Sequence, residues 1–245
     1  MISPGCHRLI VDLGMNNGDD TAYYLRQGFR VVAVDANPAL VETAQTRFAR
    51  EIAEGRLVVL NRALSAEAGA VTFYVNTDND HWSSIDVGWA GREGSHCQAI
   101  SIATVSLRDI FANYGVPYYL KIDIEGADHI ALAQLGQELV LPTYVSVEDC
   151  RFGFEYISVL ETAGYKSFKL SDQSIVQSLR DETTQGTFPQ GASGPYADAL
   201  PGRWRASNDF VEHYACTVRD RAGQRLAPRS RWWDIHAALA DCHSS

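Results

Sequence analysis

The chain has 245 residues, of which 46% are hydrophobic and 21% are charged, a composition typical of a globular protein with a buried core. Its formal net charge of -9 argues against a nucleic-acid partner, because proteins that bind phosphate backbones present a basic face. We interpret the most basic stretch, residues 219–231, as a solvated tail. Five scattered cysteines without a CxxC pair, together with the lack of a signal peptide or a membrane-length apolar run, predict a cytoplasmic protein without disulfides or a membrane segment.

Predicted strands and helices alternate along the first 170 residues. Short apolar runs predict strands at 8–13, 30–34, 57–60, 118–122, 144–147 and 165–170, with a further edge strand at 70–75. Helical patterns fall at 19–27, at 38–52 after a helix-starting proline, from about residue 127, and at 155–163, where Gly164 ends the helix. This alternation predicts βαβ units and a mostly parallel sheet.

Residues 171–208 break the alternation. They are rich in proline and glycine, show little periodicity and have few evident apolar anchors. A segment of this kind predicts a lid that is mobile without ligands and becomes protected when they bind, although a packed extension is the alternative. Residues 209–217, which contain His213, are predicted to return as a strand.

A glycine-bearing loop, VDLGMNNG, follows the first predicted strand. Gly14 and Gly18 let the backbone approach a ligand and leave loop N–H groups free to bind it, although an ordinary tight turn would look similar. Asn16 stands where the dinucleotide fingerprint has the glycine that lies against the pyrophosphate. The loop therefore suits a ligand with a carboxylate and an ammonium group better than one with phosphates.

An acid, Asp35, ends the second predicted strand. Doubly wound folds place an acid at this point to accept hydrogen bonds from ribose hydroxyls. A surface carboxylate is the alternative, but the apolar run before Asp35 and the Ala36-Asn37-Pro38 turn after it favour the first interpretation. The two features together predict a ligand that contains a nucleoside.

Four segments, DLGMNNGDDTAYYL, VVAVDANP, LNRALS and LKIDIEGAD, resemble FkbM-type methyltransferases across residues 8–135. SGPYADALPG and WWDIHA are similar to segments of a subset of that family. The resemblance implies an α/β, Rossmann-like class I methyltransferase fold with a seven-stranded, mostly parallel sheet and helices on both faces. It implies one domain over residues 1–245, with the lid-like insertion at about 171–208. It also implies S-adenosyl-L-methionine as the cofactor and O-methylation of a sugar or a natural-product small molecule.

The resemblance assigns parts of the cofactor to particular residues. It implies that the glycine loop holds the methionine part, that the end of the second strand holds the ribose, that a residue after the third strand lies near the adenine, and that an acid lies beside the sulfonium. In that order the residues are Asp12, Gly14, Asn16 and Gly18; Asp35; Ala63; and Asp123. Ala36, next to Asp35, is also implied to bind the cofactor. One departure is Asp128, where the family often has glutamate.

The KIDIEG segment predicts the reacting end of the site. Lys121, Asp123 and Glu125 alternate, so they share a face if the strand continues that far, and ligands bind at the carboxyl ends of such strands. A carboxylate or histidine that accepts the hydroxyl proton is the expected catalytic aid, which makes Asp123, Glu125 and His213 the candidates. Clustered acids without a basic partner raise one another's pKa, although Lys121 and Glu125 are as readily interpreted as a salt bridge.

The predicted substrate-binding residues are Trp82, Ser84, Lys121 and Glu148. The acids Asp123, Glu125, Glu148 and Asp149 offer oxygen ligands for a divalent ion, but they do not have the spacing of an ion-binding loop, and we expect no metal. Two other functions compete, a nicotinamide-dependent oxidoreductase and a cofactor-binding module without catalysis. The acceptor, the identity of the base and the oligomeric state, for which a homodimer is one option, stay open.

Overall fold

The computed structural model describes residues 9–240 and residue 242. They form two compact units, of which the first ends at Leu141 and the second begins at Pro142. Cys6 and residue 8, the first position of the first predicted strand, lie outside the described residues. The prediction of a single domain over the whole chain stays a prediction.

The first unit combines two sheets with six α-helices. Its strands are β1 (Leu9–Leu13), β2 (Arg30–Asp35), β3 (Leu57–Asn61), β4 (Ala63–Leu64), β5 (Ala70–Asn76), β6 (Cys97–Val105) and β7 (Tyr119–Ile122). Its helices are α1 (Asp19–Arg26), α2 (Pro38–Arg47), α3 (Ala49–Ala53), α4 (Val87–Ala90), α5 (Leu107–Tyr114) and α6 (Asp128–Leu135), with 3-10 turns at Asp80–Trp82 and Arg92–Gly94.

The main sheet of this unit is parallel, in the order β7-β1-β2-β3. In β1, Ile10 pairs with Val31 on one side and with Tyr119 on the other. All five residues of β1 and all four of β7 are buried, which explains why the two strands are apolar apart from Asp12 and Lys121, because a parallel strand is covered on both faces. The carboxyl ends of these strands meet at one edge, which positions the site. In the second sheet, β6 lies between β5, which is antiparallel to it, and β4, which is parallel.

The second unit has six strands and two α-helices. They are β8 (Tyr144–Glu148), α7 (Gly153–Ala163), β9 (Ser167–Asp172), β10 (Arg180–Asp181), β11 (Gly186–Thr187), β12 (Arg205–Ala206), α8 (Ser207–Thr217) and β13 (Trp233–Ala238), with 3-10 turns at Gln173–Ser178 and Ala197–Ala199. Strand β13 runs antiparallel between β8 and β9, and β12 pairs with the far side of β9. Strands β10 and β11 form a hairpin.

The predicted α/β class with mostly parallel strands is confirmed, and so is the edge strand at 70–75, which is β5. Several elements were not predicted: β6, α5 and β13 were missed, and so was the two-residue strand β12. The helix predicted at 38–52 is interrupted at Phe48, whose φ of -110° and ψ of 24° are not helical.

The strand predicted at 209–217 is wrong, because these residues belong to helix α8. Its buried side chains follow a helical spacing: Phe210, Tyr214 and Val218 lie four residues apart and are all fully buried. The aromatic and β-branched content of the segment favoured a strand, but packing of this stripe decides the outcome. His213 consequently lies on a helix.

The expectation that residues 171–208 have few apolar anchors is also wrong. Val176, Phe188 and Leu200 are buried within the segment, as are Tyr196 and Trp204. The Lys169 ammonium on β9 donates to the carbonyl oxygen of Leu200 at 2.7 Å and lies 4.6 Å from the centre of the Trp204 ring. Whether the segment moves when ligands bind stays a prediction.

None of the helices in the described part of the chain is long and apolar enough to cross a membrane.

Candidate active site

The glycine loop closes tightly over the end of β7. After β1 the N–H groups of Gly14 and Met15 both donate to the carbonyl oxygen of Val34, at 2.9 and 3.1 Å. Gly14 has a φ of +81°, and a Cβ atom at this position would lie 1.7 Å from the carbonyl oxygen of Asp123. Glycine is therefore required here by the neighbouring backbone as well as by the turn.

The carboxylate of Asp35 is oriented by two backbone N–H groups. Asn16, with a φ of +50°, donates from its N–H to Oδ2 of Asp35 at 2.8 Å, and the N–H of Asn37 donates to Oδ1 at the same distance. Burial raises the pKa of Asp35 to about 6, although these two bonds and Lys121 act to lower it. The loop and the acid, predicted separately, thus form one structure.

Both face an open cleft, whose empty volume of about 710 Å³ includes space that is open to solvent. Its lining comes from the loops after β1, β2, β3 and β7 and from the segment after β5. The lining residues are Leu13, Gly14, Asn16, Val34, Asp35, Ala36, Asn37, Leu40, Arg62, Ala63, Leu64, Phe73, Asp80, His81, Ser83, Ile85, Asp123, Ile124, Glu125 and Ala127.

One part of this lining is apolar. Ala63 and Phe73 are buried in a cluster with Ile102, against which Ala36 and Ile85 pack. The structure therefore brings Ala36 and Ala63, which are far apart in the sequence, into the same part of the cleft. Most of this apolar lining could not be identified from the sequence, because β5 comes from the second sheet.

Lys121 lies beneath the cleft among three acids, of which Asp12 and Asp20 are buried and Asp123 is 37% exposed. The side chain of Lys121 is only 4% exposed, and its Nζ lies 3.1 Å from Asp123 Oδ2 and 3.7 Å from oxygens of Asp12 and Asp20. Burial alone would lower the pKa of Lys121, but the three carboxylates raise it well above its ordinary value. The alternative salt bridge to Glu125 is wrong: the acidic partners of Lys121 among the described residues are these three.

Asp12 and Gly18 support the loop from outside the cleft lining. Asp12 is fully buried and accepts a hydrogen bond from the Thr21 hydroxyl at 2.6 Å, which ties β1 to α1. Burial raises the pKa of Asp12. Gly18 precedes α1 with a φ of +80°, and a Cβ atom there would lie 2.7 Å from the Phe48 ring. Their predicted contacts with a cofactor stay predictions.

The residues after β7 form a turn, not a continued strand. Strand β7 ends at Ile122, and Glu125 has a φ of +51°, so the expectation that Lys121, Asp123 and Glu125 share one strand face is wrong. Asp128 holds the turn by accepting the N–H groups of Ile124 at 2.9 Å and Gly126 at 3.1 Å. Burial raises the pKa of Asp128 to about 6. Its departure from the family's usual glutamate therefore falls at a residue with a structural role.

Glu125 has a basic partner, contrary to the expectation for these clustered acids. Its Oε2 accepts hydrogen bonds from Trp89 Nε1 and from the Arg92 guanidinium, each at 2.8 Å. Burial and Asp123 raise the pKa of Glu125 to about 7, whereas Arg92 and Trp89 act to lower it. Trp89 and Arg92 were missed, because nothing in the sequence links them to a residue more than 30 positions away.

The predicted substrate residues Trp82 and Ser84 lie in the segment after β5. The Arg92 guanidinium lies 4.6 Å from the centre of the Trp82 ring. Ser84 is 1% exposed and donates to the carbonyl oxygen of Glu125 at 2.6 Å, so it supports the turn. Their neighbours Asp80, His81 and Ser83 line the cleft instead.

His213 and Glu148 belong to the second unit. Burial and Arg205 lower the pKa of His213, and Glu148 is the last residue of β8. Asp149, which follows, accepts a hydrogen bond from the Tyr214 hydroxyl and pairs with the Arg219 guanidinium at 2.9 Å. Asp149 thus holds α8 and the following segment in place. The catalytic role of His213 and the substrate role of Glu148 stay predictions.

Comparisons with known proteins identify a family. The family model described as Methyltransferase FkbM domain matches residues 12–177. No curated protein sequence matches the chain. Solved structures similar to it include a precorrin-6y C5,15-methyltransferase from Geobacter metallireducens, at 8% identity over 95% of this chain and 79% of that one, with a TM-score of 0.43. An O-methyltransferase from Bacillus cereus, in complex with SAH, is 12% identical over 94% of this chain and 74% of that one, with a TM-score of 0.31.

Proposed function

The chain belongs to the FkbM methyltransferase family, and we propose that it transfers the methyl group of S-adenosyl-L-methionine to a hydroxyl group of a sugar or natural-product small molecule. The observation that supports this most strongly is the arrangement of Asp35. Both of its carboxylate oxygens are held by backbone N–H groups, and it lines the same cleft as Asp123 and Glu125. A ribose acceptor and two candidate bases thus face one ligand space.

The lining suits this cofactor in charge and polarity. Its carboxylates are Asp35, Asp80, Asp123 and Glu125, and the only basic side chains among the described lining residues are Arg62 and His81. Such a lining favours a ligand that carries a sulfonium and an ammonium group. The apolar part around Ala63 and Phe73 offers a place for the adenine. When bound, the cofactor supplies an electrophilic methyl group.

Glu125 is the best-placed proton acceptor. A general base works best when its pKa lies near the working pH, and burial raises the pKa of Glu125 to about 7. Asp123 is a weaker candidate, because its carboxylate already pairs with the Lys121 ammonium at 3.1 Å. In this proposal Glu125 takes the proton of the acceptor hydroxyl, whose oxygen would bond to the methyl carbon as the methyl–sulfur bond of the cofactor breaks and S-adenosylhomocysteine leaves.

The acidic lining argues against a nicotinamide dinucleotide. Its pyrophosphate would carry negative charge into a cleft that already holds several carboxylates, and Asn16 stands where a glycine would approach that group. A module that binds the cofactor without catalysis would not need a proton acceptor such as Glu125, whose pKa is raised to about 7. No observation favours either alternative over methyl transfer.

Thermal unfolding with ligands tests the proposal. S-adenosylhomocysteine at about a hundred times its dissociation constant should stabilise the protein by about 2.7 kcal/mol, whereas NAD should not. Asp35→Ala should weaken this effect, because the ribose loses its acceptor. Incubation of cell extracts with methyl-labelled cofactor should then yield a labelled O-methyl product. Failure of millimolar S-adenosylhomocysteine to shift the melting temperature would contradict the proposal.

A further inference from the structure

The turn that carries Glu125 is contacted by a segment from elsewhere in the first unit, residues 82–95, which we call the tryptophan loop. Ser84 donates to the Glu125 carbonyl, and Trp89 and Arg92 donate to its carboxylate. A further contact is steric. Gly126 has a φ of +85°, and a Cβ atom there would lie 2.8 Å from Cδ2 of Trp89. The indole therefore lies directly against the backbone of the turn.

We propose that Trp89 and Arg92 are positioning residues that hold Oε2 of Glu125, so that its other oxygen is left to accept the proton of the substrate hydroxyl. This rests on the proposed function in one respect, the assignment of Glu125 as the base. Both donors reach the same oxygen at 2.8 Å, and no described residue donates to Oε1. The carboxylate thus has one oxygen anchored by protein while it still lines the cleft.

The anchor is itself held in place. The Arg92 guanidinium lies between two rings, 4.6 Å from the centre of Trp82 and 5.0 Å from that of Trp89, and it also donates to the Trp89 carbonyl oxygen at 3.0 Å. A planar guanidinium stacked on aromatic rings keeps its orientation better than a lysine ammonium would. Trp82 therefore acts on Glu125 indirectly, because it orients the Arg92 guanidinium that donates to Glu125.

Opposing charges act on Glu125. Within the first unit Arg92 lowers its pKa, while burial and Asp123 raise it, to about 7. Asp35, Asp80 and His81 are the other acidic or histidine side chains among the described residues that line the same cleft. Removing the Arg92 charge should move the ionisation of Glu125 to higher pH, and removing the Asp123 charge should move it to lower pH.

The first test needs neither cofactor nor turnover. In protein labelled with ¹⁵N at its five tryptophans, Trp89→Phe identifies the indole N–H signal of Trp89. We expect this signal to titrate with a midpoint near pH 7 and to stop doing so in Glu125→Gln. Arg92→Met should raise the midpoint by about one pH unit, since a neighbouring opposite charge typically has an effect of this size or larger. Asp123→Asn should lower it.

A matched control is Arg108→Met, because Arg108 is 72% exposed and pairs with Glu138. It should leave the midpoint unchanged. Arg92→Lys is the second variant should Arg92→Met fail to fold: it keeps the charge and should leave the midpoint close to that of the unmodified protein. A Trp89 signal that does not titrate, or one whose midpoint is the same with and without the Arg92 charge, would overturn the proposal.

The second test uses methyl transfer once an acceptor is known. The acidic limb of the pH–rate profile should move upward in Arg92→Met by the same amount as the indole midpoint, while the Michaelis constant for the cofactor stays within about twofold. A fall in rate that is uniform across pH would show that Arg92 has only a structural role. If the indole titration behaves as expected but no ligand binds, the proposed function fails while the coupling of Glu125 to Arg92 stands.

Discussion

At the scale of single residues, the cleft depends on backbone atoms that approach one another closely. Gly14 touches the Asp123 carbonyl, Gly126 touches Trp89, and Asn16 presents its N–H to Asp35. Each contact joins residues that are distant in the sequence. The side chains that we propose to carry chemistry, Asp35 and Glu125, are therefore oriented by groups from distant parts of the sequence.

Gly14→Ala tests this dependence. The new methyl group would meet the Asp123 carbonyl, and a φ of +81° is strained for alanine, so we expect a loss of roughly 2–4 kcal/mol in the free energy of unfolding. Gly55→Ala is the matched control, because Gly55 also has a positive φ, +69°, but a Cβ atom there would meet no atom within 4 Å outside the adjacent residues. That variant should lose only about 1 kcal/mol. Urea unfolding measures both, and equal losses would contradict a role for the close contact.

Residues that end parallel strands could be placed from the sequence, whereas residues that reach the site from elsewhere could not. Asp35 and Asp123 follow apolar runs, and the carboxyl ends of such strands share an edge, so both were expected in the cleft, where they lie. Arg92 and Trp89 lie between β5 and β6, and their contact with Glu125 depends on tertiary packing. Asp128 stands two residues after Gly126, a position that suggests a turn. That its carboxylate accepts two backbone N–H groups became evident only from the structure.

At the scale of elements, burial decides where local patterns are ambiguous. Strands β1, β2 and β7 were predicted because strands buried on both faces have continuous apolar runs. Helix α8 was mistaken for a strand, although the four-residue spacing of Phe210, Tyr214 and Val218 was visible in the sequence. Strand β13 was missed, because its position between β8 and β9 depends on pairing with strands that are distant in the sequence.

The segment 171–208 offers a prediction at this scale. Its hairpin is exposed at residues 182–187, whereas residues around Leu200 are tied to β9 through Lys169. Brief digestion with subtilisin should cut first near the hairpin and leave 196–204 intact. Lys169→Met removes the hydrogen bond to Leu200 and should open 196–204 to cleavage, whereas Lys166→Met, at an exposed lysine nearby, should not. Identical fragments from all three proteins would show that Lys169 is not an anchor.

At the scale of the whole molecule, we expect the acidic charge of the protein and its cleft to make ligand affinity depend on pH. The chain carries a net charge of -9, and the cleft concentrates carboxylates with raised pKa values, about 6 for Asp35 and about 7 for Glu125. Near neutral pH these acids are therefore partly protonated. A cation that binds beside them favours their charged forms, and its affinity should rise as the pH passes through this range.

Calorimetry should detect the protons that this binding releases. At about pH 6.5, S-adenosyl-L-methionine should give different binding heats in phosphate and in Tris, because each buffer takes up the released protons with its own enthalpy. At about pH 8.5, where both acids are ionised, the heats should agree. S-adenosylhomocysteine lacks the sulfonium charge and should release fewer protons. Equal heats in both buffers at the lower pH would contradict the coupling.

The close approach of Gly14 to Asp123 also affects how relatives of this protein are interpreted. A glycine at this position is required by the neighbouring peptide even when nothing occupies the cleft. A descendant that lost its catalytic ability but kept its fold would still be selected to retain it. A glycine retained at this position in a distant relative therefore indicates that the fold is shared, and it does not indicate that the activity is shared. Inherited chemistry would have to be traced through Glu125 and Arg92, whose side chains a descendant that only folds is freer to lose than this glycine.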